Sequence, residues 1–362
     1  MQLQQVDNYT PFEWFAFEKM GPGKRMYDVL IVKAACQLVQ DKRGLCLAPA
    51  PQGEVPPIHM ADQPREFSRD AYASLQKTGD VLLHKIATDF LISGAARPAS
   101  AGASSWAAEV TIKSHGATRK QTMFLHGERH WQWSLLKGWH LSAPKPCEHV
   151  ELRYELAYGG SYQQGDGWIR HDLNPVGRGH LPVHRMDKEV HYPAARIELA
   201  ANPLSAVDKS IAIPALGPIA RTWGSRKRHA GTYDEKWKED LRRNQTADYP
   251  ADFNPRFLQA AHPDWIFEPY WTGQESIQVL GLTADKPLYC DLPGWSITAS
   301  GQGSQGAFAL QPMNLDTVEL DLDARRLYMT WRLTMNQAMQ TQQVRIDMAV
   351  QDTVTAKTAP RK

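Results

Sequence analysis

Apolar residues mark out strands at both ends of the chain and lose their rhythm in the middle. The run YDVLIVKAACQLV, Tyr27 to Val39, is apolar almost throughout and long for one strand. Asp41, Lys42, Arg43 and Gly44 form a turn signal, and Leu45 to Leu47 read as the returning arm of a hairpin. Pro49 to Pro64 is Pro-rich and reads as a surface connection, with a short helix at Arg69 to Gln76. Asp80 to His84 and Asp89 to Ser93 are short apolar runs that predict strands. Ala107 to Ile112, Gln121 to Leu125 and His130 to Leu136 predict a three-strand meander, with Trp131 and Trp133 on one face.

Toward the other end, Ser276 to Leu282, Pro287 to Leu292 and Trp295 to Ser300 predict short strands. Val318, Leu320 and Leu322 alternate, Asp323-Ala324-Arg325 turns the chain, and Leu327, Met329, Trp331 and Leu333 alternate on the way back. This is the clearest hairpin in the sequence. Between Val150 and Pro269, prolines and glycines recur too often for long elements. One helix is expected there, from Thr232 to Leu241. Thr232 and Glu235 have capping-box spacing, and Tyr233, Trp237 and Leu241 recur every four residues as an apolar stripe.

The pattern predicts a mainly β protein, two-lobed and β-sandwich-like, with long irregular Pro/Gly-rich loops and a few short helices. A Pro-rich linker, Ala143 to Cys147, places the division between lobes 1–146 and 147–350, with a polar tail at 351–362. Hydrophobic residues make up 42% and charged residues 22%, an ordinary balance for a folded chain. A net charge of +2 gives no broad field for nucleic acid or anionic lipid. The beginning of the chain lacks a basic start followed by an apolar run, and no window is long and apolar enough to span a membrane. The four cysteines, at 36, 46, 147 and 290, show no zinc-site spacing. The expected location is cytoplasmic, with reduced thiols.

Candidate chemistry is sparse. Gly301 to Gly306 matches GxGxxG, but Pro312 and the alternation that follows argue for a loop between strands rather than a phosphate-binding turn. His126/His130 and His180/His184 have the spacing of metal ligands on a helix, yet the first pair spans a turn and Pro182 interrupts the second. No metal or other cofactor is expected. No nucleophile elbow and no phosphate loop are present. Arg221 to His229 is a basic cluster around Trp223, and Trp265, Phe267, Tyr270 and Trp271 crowd one short segment. These make Arg221, Trp223, Arg226, Tyr233, Trp237, Tyr270 and Trp271 the candidate partner-binding residues.

The ordered landmarks ELRYELAYGG (151–160), NPVGRG (174–179), GPIARTW (217–223), HAGTYDEKW (229–237), DFNPRFLQAAHPD (252–264) and LDTVELDLDARRLYMTWR (315–332) resemble the bacterial family called domain of unknown function 2169. TDFLISGAARP (88–98) and HGERHW (126–131) resemble its N-terminal half, while Leu181 to Ala215 departs from its pattern. The resemblance implies a non-enzymatic cytoplasmic adaptor or chaperone. Members are associated with type VI secretion gene clusters and look like loaders of a toxic effector onto the spike tip, the VgrG and PAAR-type proteins. No catalytic residues are implied.

In NPVGRG, Pro175 fixes one φ and the glycines allow unusual turns. Arg178 is expected to tie the loop to a carboxylate, with Glu155 as partner and Tyr154 and Tyr158 as rigid flanks. Together with Asn174 these residues form an expected loop scaffold. Two other readings stay open. One is a hydrolase-type or metal-dependent enzyme with a site between the lobes using His180, His184 or Asp187, and the other is a structural part of the secretion apparatus.

Overall fold

The computed structural model describes residues 3–42, 44–51, 53–65, 71–245, 248–284, 286–304 and 306–350. Strands hold 45% of the chain and helices 10%, so the fold is mainly β. The polar tail at 351–362 and the first residues of the expected 69–76 helix lie outside the described residues. Leu75–Lys77, which overlaps the end of that expected helix, is a short strand.

Met26–Gln40 organises the architecture. Along one edge it pairs with Arg326–Asn336. Along the other it is shared by two shorter partners, Glu13–Met20 beside its first half and Leu45–Pro49 beside its second. Two faces need covering, which is why the sequence reads as a continuous apolar run rather than an alternation. Leu30, Val32, Ala34, Cys36 and Leu38 enter the main core. Val29 and Ile31 face a smaller cluster with Phe17 and Leu83.

The sheet continues past Arg326–Asn336 to Asn314–Asp321, then Thr88–Ser93 in parallel, then Ile266–Phe267. In the other direction it runs through Leu288–Asp291, Ser276–Leu280, Ser105–Ser114 and Ala117–His126 to Ile197–Leu199. Twelve strands therefore share one sheet, and they come from both sides of residue 146, so strand pairing does not divide the chain at that point. A separate four-stranded sheet contains Trp295–Gly303 and Gly306–Pro312, which are the two strands flanking the GxGxxG loop.

The predicted hairpin is present as Asn314–Asp321 and Arg326–Asn336, with Leu327, Met329, Trp331 and Leu333 all buried. Its opposite face is also covered, but by ion pairs. Arg332 meets Asp316 at 2.6 Å, Lys33 meets Asp80 at 2.8 Å, Lys77 meets Glu319 at 2.6 Å and Lys85 meets Asp89 at 2.8 Å. The last three tie residues 77–85 onto the sheet. They also explain why Asp80 to His84 is not a strand. The carbonyls of Asp80 and Leu82 accept from Arg332, and that of Leu83 accepts from Thr334, so side chains of the sheet take up this backbone in place of a neighbouring strand.

Two further expectations are corrected. Ser105–Ser114 and Ala117–His126 pair as predicted, but His130–Ser134 leaves the meander and joins Gly138–Leu141 and Tyr192–Pro193 in a small sheet. Its place beside Ala117–His126 is taken by Ile197–Leu199. The helix runs Glu235–Asn244, and its cap is Asp234, which accepts from the Trp237 N–H at 2.8 Å. Thr232 is engaged elsewhere, donating to Asp252 at 2.7 Å. Tyr233 and Leu241 are exposed, and no residue of this helix is buried.

Candidate functional site

The site is built by the loop that holds NPVGRG. Residues 157–160 and 174–180 run side by side, with parallel bridges pairing Tyr158 with Arg178 and Gly159 with Gly179. Gly159 and Gly160 adopt φ of 139° and 120°, outside the range open to other residues. A Cβ at Gly159 would strike the Asn174 carbonyl, so the two segments approach this closely only with glycine there.

Asn174 is the hub. Its side chain is fully buried, and its Nδ2 donates to the carbonyls of both Tyr154 and Tyr158 at 2.8 Å. Two facing acceptors fix the amide orientation, leaving Oδ1 without a hydrogen bond. The Asn174 carbonyl accepts from Gly160 N–H at 2.8 Å, and its own N–H donates to His171 Nδ1 at 3.2 Å. Pro175 is buried beside it, and its carbonyl accepts from Ser161 at 2.6 Å. Tyr154 packs edge-on against Trp223 and Tyr158 edge-on against His171. Tyr154, Tyr158, Asn174 and Pro175, expected as a loop scaffold, thus lie together around the side-chain amide.

Arg178 and Glu155 do not form the expected pair. Glu155 accepts from Ser74 and lies 3.5 Å from Arg153. The Arg178 backbone N–H bonds to Ala157, but among the described residues its guanidinium has no hydrogen-bond or ion-pair partner. Burial lowers its pKa below the ordinary arginine value, Arg196 and Arg153 push the same way, and Glu128 and Glu155 oppose them.

Two adjoining cavities open on this loop. The larger, about 1110 Å³, is walled by Trp139, Tyr158, His171, His180, Pro182 and Val183, and His184 also reaches it. The smaller, about 400 Å³, is walled by Trp131, Tyr162, Arg178, Met186, Tyr192 and Pro193. Gly179, His180, Leu181 and Val207 border both. Aromatic contacts brace the walls, with His171 and His180 edge-on at 5.1 Å and Trp139 and Tyr192 edge-on at 5.9 Å. Burial lowers the pKa of both His171 and His180, which favours neutral rings. The result is a preorganised cleft whose walls mix aromatic, proline, aliphatic and polar side chains, with the Arg178 guanidinium unpaired among the described residues. Such a surface can hold an extended peptide with little ordering of its own.

The other candidate residues do not converge on this cleft. Trp223, Arg226 and Trp271 are buried, which removes them as surface contacts. Trp223 donates to the Tyr72 carbonyl at 2.9 Å, and Trp271 packs against Phe267 and Phe90. Arg226 donates to the carbonyls of Ile219 and Phe257, and burial pushes its pKa down to about 10. Tyr270 donates to the Lys85 carbonyl, and Arg221 pairs with Asp62 at 2.9 Å. Tyr233, just before the outer helix, stacks edge-on at 4.7 Å against Trp237 on it, and Trp237 is anchored to the Asp248 carbonyl.

The histidine pairs also separate. His126 is held by Ser105 and Glu198, while His180 and His184 both reach the large cavity. Asp187 accepts from Glu189 N–H within its own loop. Among the described residues no group of three or more His, Cys, Asp or Glu could hold a metal ion. None of their helices is long and apolar enough to cross a membrane. Sequence reasoning missed His171, Trp139 and Tyr192 as parts of the cleft. His171 is placed by its contacts with Asn174 and Tyr158, whereas Trp139 and Tyr192 arrive through the strands paired with residues 130–134, and no local pattern announces the pairing with 192–193.

The sequence model of a family described as "Uncharacterized protein conserved in bacteria (DUF2169)" matches residues 23–332. No curated protein and no solved structure matches the chain.

Proposed function

The chain belongs to the DUF2169 family of bacterial proteins, and from that premise we propose that it is a non-enzymatic cytoplasmic adaptor. In this reading it binds a type VI secretion effector and helps load it onto the VgrG/PAAR spike. The observation that carries the reading is the cleft beside NPVGRG. Its backbone is fixed by the buried Asn174 amide before any partner arrives. Its walls combine aromatic and proline side chains, which lose little freedom on contact, with aliphatic and polar ones such as Val183, Ser205 and Asp208. The near-neutral net charge suits a specific protein contact over a general polyanion sink.

Affinity purification of the tagged protein from its own bacterium, with mass spectrometry of what stays bound, tests the reading. The expected result is one large toxin-like protein, with or without a spike-tip protein. Recovery of the tagged protein alone, or in stoichiometric amounts with assembled sheath, contradicts it.

A further inference from the structure

The three fully buried arginines among the described residues are all hydrogen-bonded by the fold. Arg129 donates to Ala195 and Glu198, Arg226 to Ile219 and Phe257, and Arg332 to Asp316, Asp80 and Leu82. The half-buried Arg178 guanidinium has no such partner among the described residues, and its nitrogens are not sealed from solvent. Its register partner is Tyr158, so both side chains stand on one face of the loop pair. It lines the 400 Å³ cavity beside Trp131, Tyr162, Tyr192 and Leu181. The nearby carboxylates are already engaged, Glu155 with Ser74 and Arg153, and Glu128 with Lys145 at 3.0 Å.

We propose that Arg178 is a carboxylate receptor, and that the cavity beside it takes a client peptide carrying an acidic group next to an apolar residue. The proposal rests on the adaptor reading, which makes the carboxylate a peptide's. The donor set favours carboxylate over phosphate. Phosphate sites gather several convergent donors, whereas here the neighbouring backbone N–H groups are spent. Gly160 donates to Asn174, His180 to Gly159 and Leu181 to Gly179. Arg196 donates to the His126 carbonyl and Arg153 pairs with Glu151 and Glu155, so Arg178 keeps the uncommitted planar fork, which matches the two oxygens of a carboxylate. The apolar walls beside it accept the neighbouring aliphatic side chain.

The test uses the purified full chain and four probes: acetyl-Leu-Glu-amide, acetyl-Leu-Gln-amide, acetyl-leucine with its free carboxylate, and inorganic phosphate. Binding is followed through the indole N–H resonances of the tryptophans. The proposal expects one of the two carboxylate probes to bind about tenfold or more tighter than the Gln peptide. Which of the two does so distinguishes an acidic side chain from a chain end. Arg178→Gln should erase that preference while melting at the wild-type temperature. If Arg178→Gln melts early, Arg178→Lys, which keeps the charge and the stem, carries the same test and should lose most of the preference.

Equal binding of the Glu and Gln peptides overturns the proposal, as does a preference that survives both substitutions. Tighter binding of phosphate than of either carboxylate also overturns it. Client recovery separates the two readings. A client retained equally by wild type and Arg178→Gln removes the receptor and leaves the adaptor. An Arg178-dependent carboxylate preference with no client removes the adaptor and leaves the receptor.

Discussion

The side-chain nitrogen of Asn174 donates to the Tyr158 carbonyl at 2.8 Å, and to the Tyr154 carbonyl at the same distance, joining segments separated by 16 and 20 residues. Replacing Asn174 with Ala removes the side-chain donor of the Tyr158 carbonyl, while the Tyr154 carbonyl keeps the Ala157 N–H at 3.1 Å. The expected loss is about 1–3 kcal/mol of stability, mostly from the Tyr158 carbonyl. Asn174→Asp should be at least as damaging, because it sets a carboxylate against two carbonyl oxygens. Urea denaturation of the three proteins measures this. A loss below about 0.5 kcal/mol for Asn174→Ala would mean that the loop is held by something else.

Arg178 belongs to the same hexapeptide and carries the opposite expectation. Among the described residues no hydrogen bond or ion pair of its guanidinium is lost on substitution, so Arg178→Gln should change stability by no more than about 1 kcal/mol, through its packed stem. The contrast between Asn174 and Arg178 under identical denaturation conditions is the informative readout. Equal destabilisation by both would show that Arg178 serves the fold.

The ion-paired face of the large sheet predicts a third effect. Arg332 is buried, bonded to Asp316 and to two carbonyls of the irregular segment above the sheet. Arg332→Ala strands a buried carboxylate and should cost about 3–5 kcal/mol. The exposed pair of Arg345 with Asp347 provides the comparison, and Arg345→Ala should cost under about 1 kcal/mol. Thermal melts of the two variants separate these cases. A milder effect for Arg332→Ala than for Arg345→Ala would contradict this account of the ion-paired face.

Stability should also fall with acid in a defined window. Burial lowers the pKa of His59, His84 and His171 below the ordinary value of 6.5. Above that value both folded and unfolded chains are neutral at these rings, and the full stability is present. As pH falls through 6.5 the unfolded chain takes up protons that the folded one resists, so stability drops until the lower folded values are passed. Melting temperature measured from pH 8 to pH 5 should therefore decline below about pH 6.5. His84→Gln should flatten part of the decline. A melting temperature that rises toward pH 5 would contradict the burial of these rings.

Much of the β framework is legible in the sequence because it rests on alternation. Val318, Leu320, Leu327, Met329 and Trp331 announce their hairpin, since successive strand residues face opposite sides. The 26–40 strand is equally plain, although its two-sided coverage depends on partners hundreds of residues away. The choice of partner is where local pattern fails. His130–Ser134 has a strand rhythm, but nothing near it shows that Tyr192–Pro193 will pair with it. Trp223 and Trp271 look like surface anchors because a tryptophan in a loop reads the same whether it faces water or fills the core.

The scaffold of the site was partly legible for a similar reason. Pro175 and the glycines of NPVGRG mark a rigid corner through their backbone restrictions. The role of the Asn174 amide, and the lack of a partner for Arg178 among the described residues, become visible only when residues 154–160 lie against the loop. An arginine in a tight loop suggests an internal ion pair, and only the position of Glu155 against Ser74 and Arg153 rules that pair out.

Photo-cross-linking in the native bacterium tests the central claim most directly, with a photoreactive residue at Leu181 on the border of both cavities and a control at exposed Tyr289. The account predicts a cross-link from position 181 to one large effector, absent at position 289. A cross-link to the effector from 289 but not from 181, or from neither position while the effector co-purifies, would contradict the assignment of the cleft as the client site.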